Sequence, residues 1–174
     1  MPSRRIAIKL ILVRGAGLPA RRREAAMLDD VYNKRILSLA ANIPLLERLP
    51  SPDATARAHS KLCGSTVTVD LTMEGDVVTG FGHEVKACAL GQASSSIMAQ
   101  HVVGSTAQEL RELREQARAI LKQNGEPPQG KWADLAVLVP VRDYKARHAS
   151  TMLTFDAVVD AIDQIEARRR EAAA

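Results

Sequence analysis

The clearest periodicity in the chain is the alternation in "GSTVTVDLTM", residues 64–73. Ser65, Val67, Val69 and Leu71 take one side, and Thr66, Thr68, Asp70 and Thr72 the other. This predicts a strand with one apolar and one wet face. "EGD" at 74–76 reads as a hairpin turn. The return strand, "VVTGFGHEV", places Val77, Thr79, Phe81, His83 and Val85 on one face. Gly80 and Gly82 share the other, where a neighbour can pack closely against bare backbone.

Helical spacing governs most of the rest. From Met27, Leu28, Tyr32, Ile36 and Leu39 recur every three or four residues, and Pro44 ends the run. "LPSPDATARAHS" at 49–60, rich in proline, serine and small residues, reads as a loop. After the hairpin, a helix opens at Cys88 and runs to about Val103, where Gly104 stops it. Thr106 and Glu109 have the spacing of a capping box, followed by the stripe Leu110, Leu113, Ala117, Ile120 and Leu121. Gly125 and Pro127-Pro128 close that helix. "DLAVLVPVRDY" is a short apolar segment broken by Pro140. A last helix carries Phe155, Val158, Val159, Ile162 and Ile165 and frays into "EARRREAAA". The pattern is α+β, a small antiparallel sheet with helices gathered on one side. It shows no internal repeats.

With 174 residues, 46% of them hydrophobic, the chain suits one globular domain with its own core. Aromatic residues make up 3%, so the core is aliphatic and a base-stacking platform for single-stranded nucleic acid is not expected. The formal charge of +4 is unevenly spread. Residues 1–26 hold seven arginines and lysines against Glu24; their +6 leaves −2 on the remaining 148 residues. No basic face for a phosphate backbone follows, and nucleic acid is not an expected partner.

No stretch has the roughly 18 apolar residues that span a bilayer, so no membrane association is expected. "IAIKLILV" is interrupted by Lys9 and lacks a clean cleavage site after it. The leader has features of a poor signal peptide and of an organelle transit peptide, and it also suits an over-extended reading frame ahead of Met27. We take 1–26 as a basic, disordered extension and 27–170 as the domain. A weak export signal points to a reducing cytoplasm, where Cys63 and Cys88 stay free thiols.

Cys63 precedes the first strand and is followed by Gly64, which allows a turn. If the extended conformation reaches back that far, it shares a face with Ser65, Val67 and Val69. Cys88 sits at a helix start, where unpaired N–H groups and the helix dipole favour a thiolate. A hairpin followed by a helix can bring the two to one end of the sheet. Ala89, Gly91, Ala93, Ser94 and Ser95 would keep that end open. Spacing alone equally suits two buried structural cysteines, since no CxxC or CxxH pair is present.

Four segments narrow this further: "VYNKRIL", "HSKLCGSTVTVDL", "VKACALGQASSSIM" and "PVRDYKARHASTMLTFDAVVDAI". In that order, and over about residues 28–165, they resemble the NifU N-terminal/IscU-like family of iron–sulfur cluster assembly scaffolds. The resemblance implies an α+β domain with a three-stranded antiparallel sheet. Its implied role is a non-enzymatic scaffold that takes sulfur from a cysteine desulfurase, builds a labile iron–sulfur cluster on thiolates and passes it to acceptor proteins. Cys63 and Cys88 match the first two ligand cysteines. Two positions depart: Ser65 stands where the family often has aspartate, and Ser150 where the third cysteine falls.

A serine hydroxyl is a poor ligand for soft centres. His148 is the first substitute, with His83 and His59 behind it; His101, mid-helix, is taken as structural. The departures leave three readings: a cluster or zinc held by two thiolates plus histidine, a cluster bridged between two subunits, or a degenerate relative that has lost assembly. A zinc-bound sulfur-transfer partner of a cysteine desulfurase is the alternative within the family. Pro140-Val141-Arg142 approximates the segment a dedicated chaperone recognises in scaffolds of this type, though a proline-terminated edge strand fits as well. A thiol enzyme using Cys88 lacks an evident carboxylate to orient His83 as its base.

Overall fold

The computed structural model describes residues 20–174. In chain order it comprises α1 (Ala20–Ala41), β1 (Ala54–His59), β2 (Thr66–Glu74), β3 (Val77–Lys86), α2 (Ala89–His101), α3 (Ala107–Lys122), a 3-10 segment (Gly130–Asp143) and α4 (Lys145–Ala173). The three strands form one antiparallel sheet in the order β1-β2-β3. α4 crosses β1 and β2, and α2 packs beside β3. α1 lies against α2, and α3 against α4. This is the expected α+β fold with helices on one face of a three-stranded sheet.

The helix-facing side is built as the alternation requires. Val67, Val69 and Leu71 are fully buried in one core with Ile97, Met98, Phe155 and Ile162. Burying such side chains stabilises the fold by about 1.5–3 kcal/mol each. Thr106 caps α3, accepting the Glu109 N–H at 3.2 Å. The Glu109 carboxylate is in turn held by the Thr106 backbone N–H, the other half of the capping box. It also accepts from Trp132 Nε1 at 2.7 Å, tying the 3-10 segment to α3.

Four local expectations fail, each for a physical reason. "ATARAH" is not loop but strand β1, paired with β2 from Ala54↔Leu71 to His59↔Thr66. Second, β3 is not a single alternating face. The register shifts between Thr72 and Met73, so Met73 faces Val78 rather than Thr79. Val78 is therefore in the core while Thr79 is exposed.

Third, the supposedly wet face of β2 is covered at its centre. Asp70, fully buried, accepts from Arg48 at 2.6 and 2.9 Å, the Leu49 N–H at 3.0 Å and the Thr55 hydroxyl at 2.6 Å. These bonds strap residues 44–50 across the sheet. A Cβ on Gly82 would stand 2.2 Å from the Glu47 carbonyl oxygen, the close approach the paired glycines foretold. Fourth, the Pro140 segment is no edge strand; it winds as 3-10 turns with Leu135, Leu138 and Val141 buried.

α1 starts at Ala20, so residues 20–26 of the expected extension are helical. Residues 1–19, the bulk of that extension, lie outside the described residues.

Candidate metal centre

Cys63 sits in the tight turn joining β1 to β2, just ahead of the strand as expected; the extended conformation does not reach back to it. The turn closes through Ser60 N–H to Ser65 O at 2.9 Å and Gly64 N–H to Ser60 O at 2.9 Å. Gly64 takes φ +71°, a left-handed value that L side chains rarely adopt. This geometry leaves Cys63 exposed while its thiol donates to Ser65 Oγ at 3.0 Å and Ser60 Oγ at 3.4 Å. When the thiol ionises, the same hydroxyls can turn to donate to sulfur. Hydrogen bonding from Ser60, then from Ser65 through both hydroxyl and backbone, pulls the Cys63 pKa down to about 7.

Cys88 is the N-cap residue of α2, in extended conformation at φ −66° and ψ 169°. Its carbonyl accepts the Gln92 N–H at 2.9 Å, starting the helical ladder. The thiol is half-buried and donates to Ser150 Oγ at 3.4 Å. Burial opposes its ionisation, but the Ser150 hydroxyl and the N–H groups of Gly91 and Leu90 outweigh it, so the pKa falls below the usual thiol value. A Cys63 thiolate opposes ionisation of Cys88, the mark of two sulfurs close enough to interact.

Ser150 joins the pair. It lies near the start of α4 and is fully buried. Its hydroxyl donates to Arg147 O at 3.0 Å, accepts from Cys88 and also helps lower the pKa of Cys63. Gly91 makes the approach possible, because a Cβ there would lie 3.0 Å from the Ser150 carbonyl oxygen and 2.8 Å from Ala87 Cβ. This revises the role of the small residues after Cys88. Ala93, Ser94 and Ser95 are buried between helices rather than holding the sheet end open. They let α1 and α4 close on α2.

The histidines do not join the sulfurs. His148 was the expected third ligand. It is buried instead, with Nε2 3.1 Å from Val141 O and 3.0 Å from Arg142 O. Two residues from Ser150 on a helix, it projects from a different face. It lines a separate pocket with Lys122, Lys145 and Asp156. His83 is fully buried with Nε2 2.8 Å from Pro44 O, tethering the strap. His59 is exposed on β1, and His101 packs edge-on against Trp132 as a structural residue. Among the described residues, no three His, Cys, Asp or Glu side chains gather where a metal ion could be held.

Two contributors had escaped the sequence reading. Ser60 was unmarked, and Ser65 stood only for a missing carboxylate; both act as hydroxyl partners of Cys63. Their positions two and three residues from the cysteine were the available signal. Beside Cys88 opens a groove of about 470 Å³ lined by Tyr32, Ile36, Leu37, Leu90, Pro140 and Tyr144, among others. Leu37, Tyr144 and, beside Cys63, Leu62 are 61%, 64% and 77% exposed, giving this end of the molecule a broken apolar rim.

Known proteins match this sequence and fold. The family model described as NifU-like N terminal domain matches residues 31–151. The curated iron-sulfur cluster assembly scaffold protein IscU of Thermotoga maritima is 25% identical over 136 residues, 78% of this chain and 94% of that protein. Among solved structures, a nitrogen-fixing NifU-like protein (N-terminal) from Brucella abortus is 62% identical, with a TM-score of 0.78 over 81% of this chain and 98% of that one. A putative iron-sulfur cluster assembly scaffold protein for the SUF system from Fervidobacterium islandicum AW-1 shares the fold at 20% identity, with a TM-score of 0.69 over 76% and 96% of the two chains. With that family model matching residues 31–151, most of its length, the chain belongs to the NifU-like N-terminal domain family.

Proposed function

We propose that the protein is an iron–sulfur cluster assembly scaffold that carries its cargo on the thiolates of Cys63 and Cys88. The observation that carries this reading is the meeting of both thiols at one serine hydroxyl. Both pKa values are lowered, that of Cys63 to about 7, so the thiolates that soft metals require form more readily than on an ordinary cysteine. The cluster is cargo, assembled and given up. An exposed sulfur suits release, because an acceptor protein must reach the iron it bonds. The role is binding and transfer, with no catalytic residue assigned.

Sulfur is supplied by a partner with a persulfide, the role a cysteine desulfurase fills. The groove beside Cys88 suits docking of such a partner, with the Pro140-Val141 segment on its wall as the surface a chaperone would hold. Among the described residues, no helix is long and apolar enough to cross a membrane.

Anaerobic reconstitution with ferrous iron and sulfide should give sulfur-to-iron charge-transfer absorption in the parent chain and none in Cys88→Ser. A folded but colourless parent would defeat the reading and leave a degenerate relative. The second reading, a zinc-bound sulfur-transfer partner, is favoured by the exposure and low pKa of Cys63. Its thiolate would attack the outer sulfur of the donor persulfide. The donor's S–S bond breaks, the donor leaves as thiolate, and Cys63 becomes the persulfide. Elemental analysis of protein purified without oxygen separates the two, with iron and sulfide supporting scaffolding and stoichiometric zinc supporting transfer.

A further inference from the structure

We propose that the protein has a second binding site, in the cleft where the end of α3, the 3-10 segment and the start of α4 meet, and that this site takes a small organic phosphate. It is separate from the cysteines and does not depend on what the thiols carry.

The cleft encloses about 680 Å³, within the usual range for small-molecule sites. Lys122 lines it from α3, Arg142 from the 3-10 segment, and Lys145 and His148 from α4. The Arg142 guanidinium donates to Ile120 O at 2.8 Å and to Gly125 O at 2.6 Å. Both acceptors are neutral backbone carbonyls. They fix the side chain but leave its charge unanswered, with further N–H groups to share. Arg118 and Asp156, also on the wall, pair with each other at 3.3 Å. That sets Arg142, Lys122 and Lys145 against the single carboxylate of Asp143. In a domain whose residues 27–174 carry −2 overall, the cleft is a local excess of positive charge.

A planar, pre-aimed guanidinium suits two oxygens of one phosphate, and the lysines add point charges beside it. α4 opens without a side-chain cap, so the positive end of its dipole adds to the same field. The remaining lining favours an organic body over a bare ion. Leu121 and Met152, both buried, and Ala149 give it an apolar patch. His148 is more than nine-tenths buried, with Nε2 against Val141 O and Arg142 O. With Nε2 donating there, Nδ1 is left to accept from a hydroxyl or amine of the ligand.

Calorimetric titration of the full chain at low ionic strength tests this, with ADP, pyrophosphate and citrate as probes. The expected result is saturable binding of one ADP per chain. Pyrophosphate, which lacks the organic body, should bind more weakly, and citrate, which carries charge without phosphate geometry, more weakly still. Lys122→Glu and Lys145→Glu, both at exposed positions, should fold as the parent does and each weaken ADP binding by about tenfold or more. Arg57→Glu, exposed on β1, alters net charge by the same amount and should leave binding unchanged.

The absence of saturable binding by ADP and pyrophosphate overturns the proposal. So does citrate binding as tightly as ADP, or an Arg57→Glu loss equal to that of the lysine variants, since either would reduce the effect to bulk charge.

Discussion

The two candidate cysteines stand on opposite kinds of structure. Cys63 hangs on a six-residue turn, exposed, with two serine hydroxyls and a backbone N–H as its company. Cys88 is fixed at the junction of a strand and a buried helix, with the backbone of α2 and the Ser150 hydroxyl behind it. Local turn geometry therefore tunes Cys63, while tertiary packing tunes Cys88. The exposed sulfur is suited to exchange with a partner, and the anchored one to keeping hold while exchange proceeds.

Glycine substitution beside each cysteine gives the strongest test of that contrast. Gly91→Val adds atoms where the first carbon alone would already stand 3.0 Å from backbone of α4 and 2.8 Å from Ala87. The helices must separate at a cost of about 3 kcal/mol or more. Gly64→Ala meets nothing within 4 Å and pays only for its left-handed backbone, about 1–2 kcal/mol. Denaturant melts should order the variants that way. Equal losses would mean the Cys63 turn is as deeply packed as the Cys88 junction.

The same division explains what the sequence disclosed. β2, most of β3 and α2 to α4 follow from period-two and helical patterning, because each buries one face against one layer. β1 did not show itself. "ATARAH" has one β-branched residue in six, and it is a strand because β2 offers a free edge and Asp70 bonds Thr55 across it. The shift at Thr72/Met73 was hidden for the same reason, since register is settled between strands.

At the site, Cys63 and Cys88 were legible as thiols. Resemblance marked Ser150 as the third position, but not as the hydroxyl joining them across 62 residues. His148 misled because nearness in sequence says little about which face of a helix a side chain occupies.

Ser65→Ala sharpens the comparison on the exposed side. At pH 7 the parent Cys63, with a pKa of about 7, is close to half thiolate. Losing one hydroxyl partner raises the pKa towards the ordinary thiol value and lowers the thiolate share, and with it the alkylation rate, by roughly fivefold at that pH. The deficit should close as pH rises through the new pKa. Cys88 in the same sample, read by peptide mass spectrometry with iodoacetamide, should change little. Parallel slowing of both would show that their tuning is not separable.

Ser150→Ala should give the smallest effect and the most discriminating one, because this hydroxyl bonds Cys88 and also favours the Cys63 thiolate. For Cys88 it leads the influences that favour the thiolate, whereas for Cys63 it is the weakest of several. Its removal should raise both pKa values, moving each alkylation profile to higher pH, with the larger displacement at Cys88. The difference at pH 7 is expected to be roughly two- to threefold, in keeping with the loss of a single hydrogen bond of about 0.5–1.5 kcal/mol offset by the backbone donors that remain. Those donors, the Leu90 and Gly91 N–H groups, hold Cys88 in place after the hydroxyl is gone. A larger displacement at Cys63 would reverse the assignment, making Ser150 a partner of the turn and leaving Cys88 governed by its helix alone.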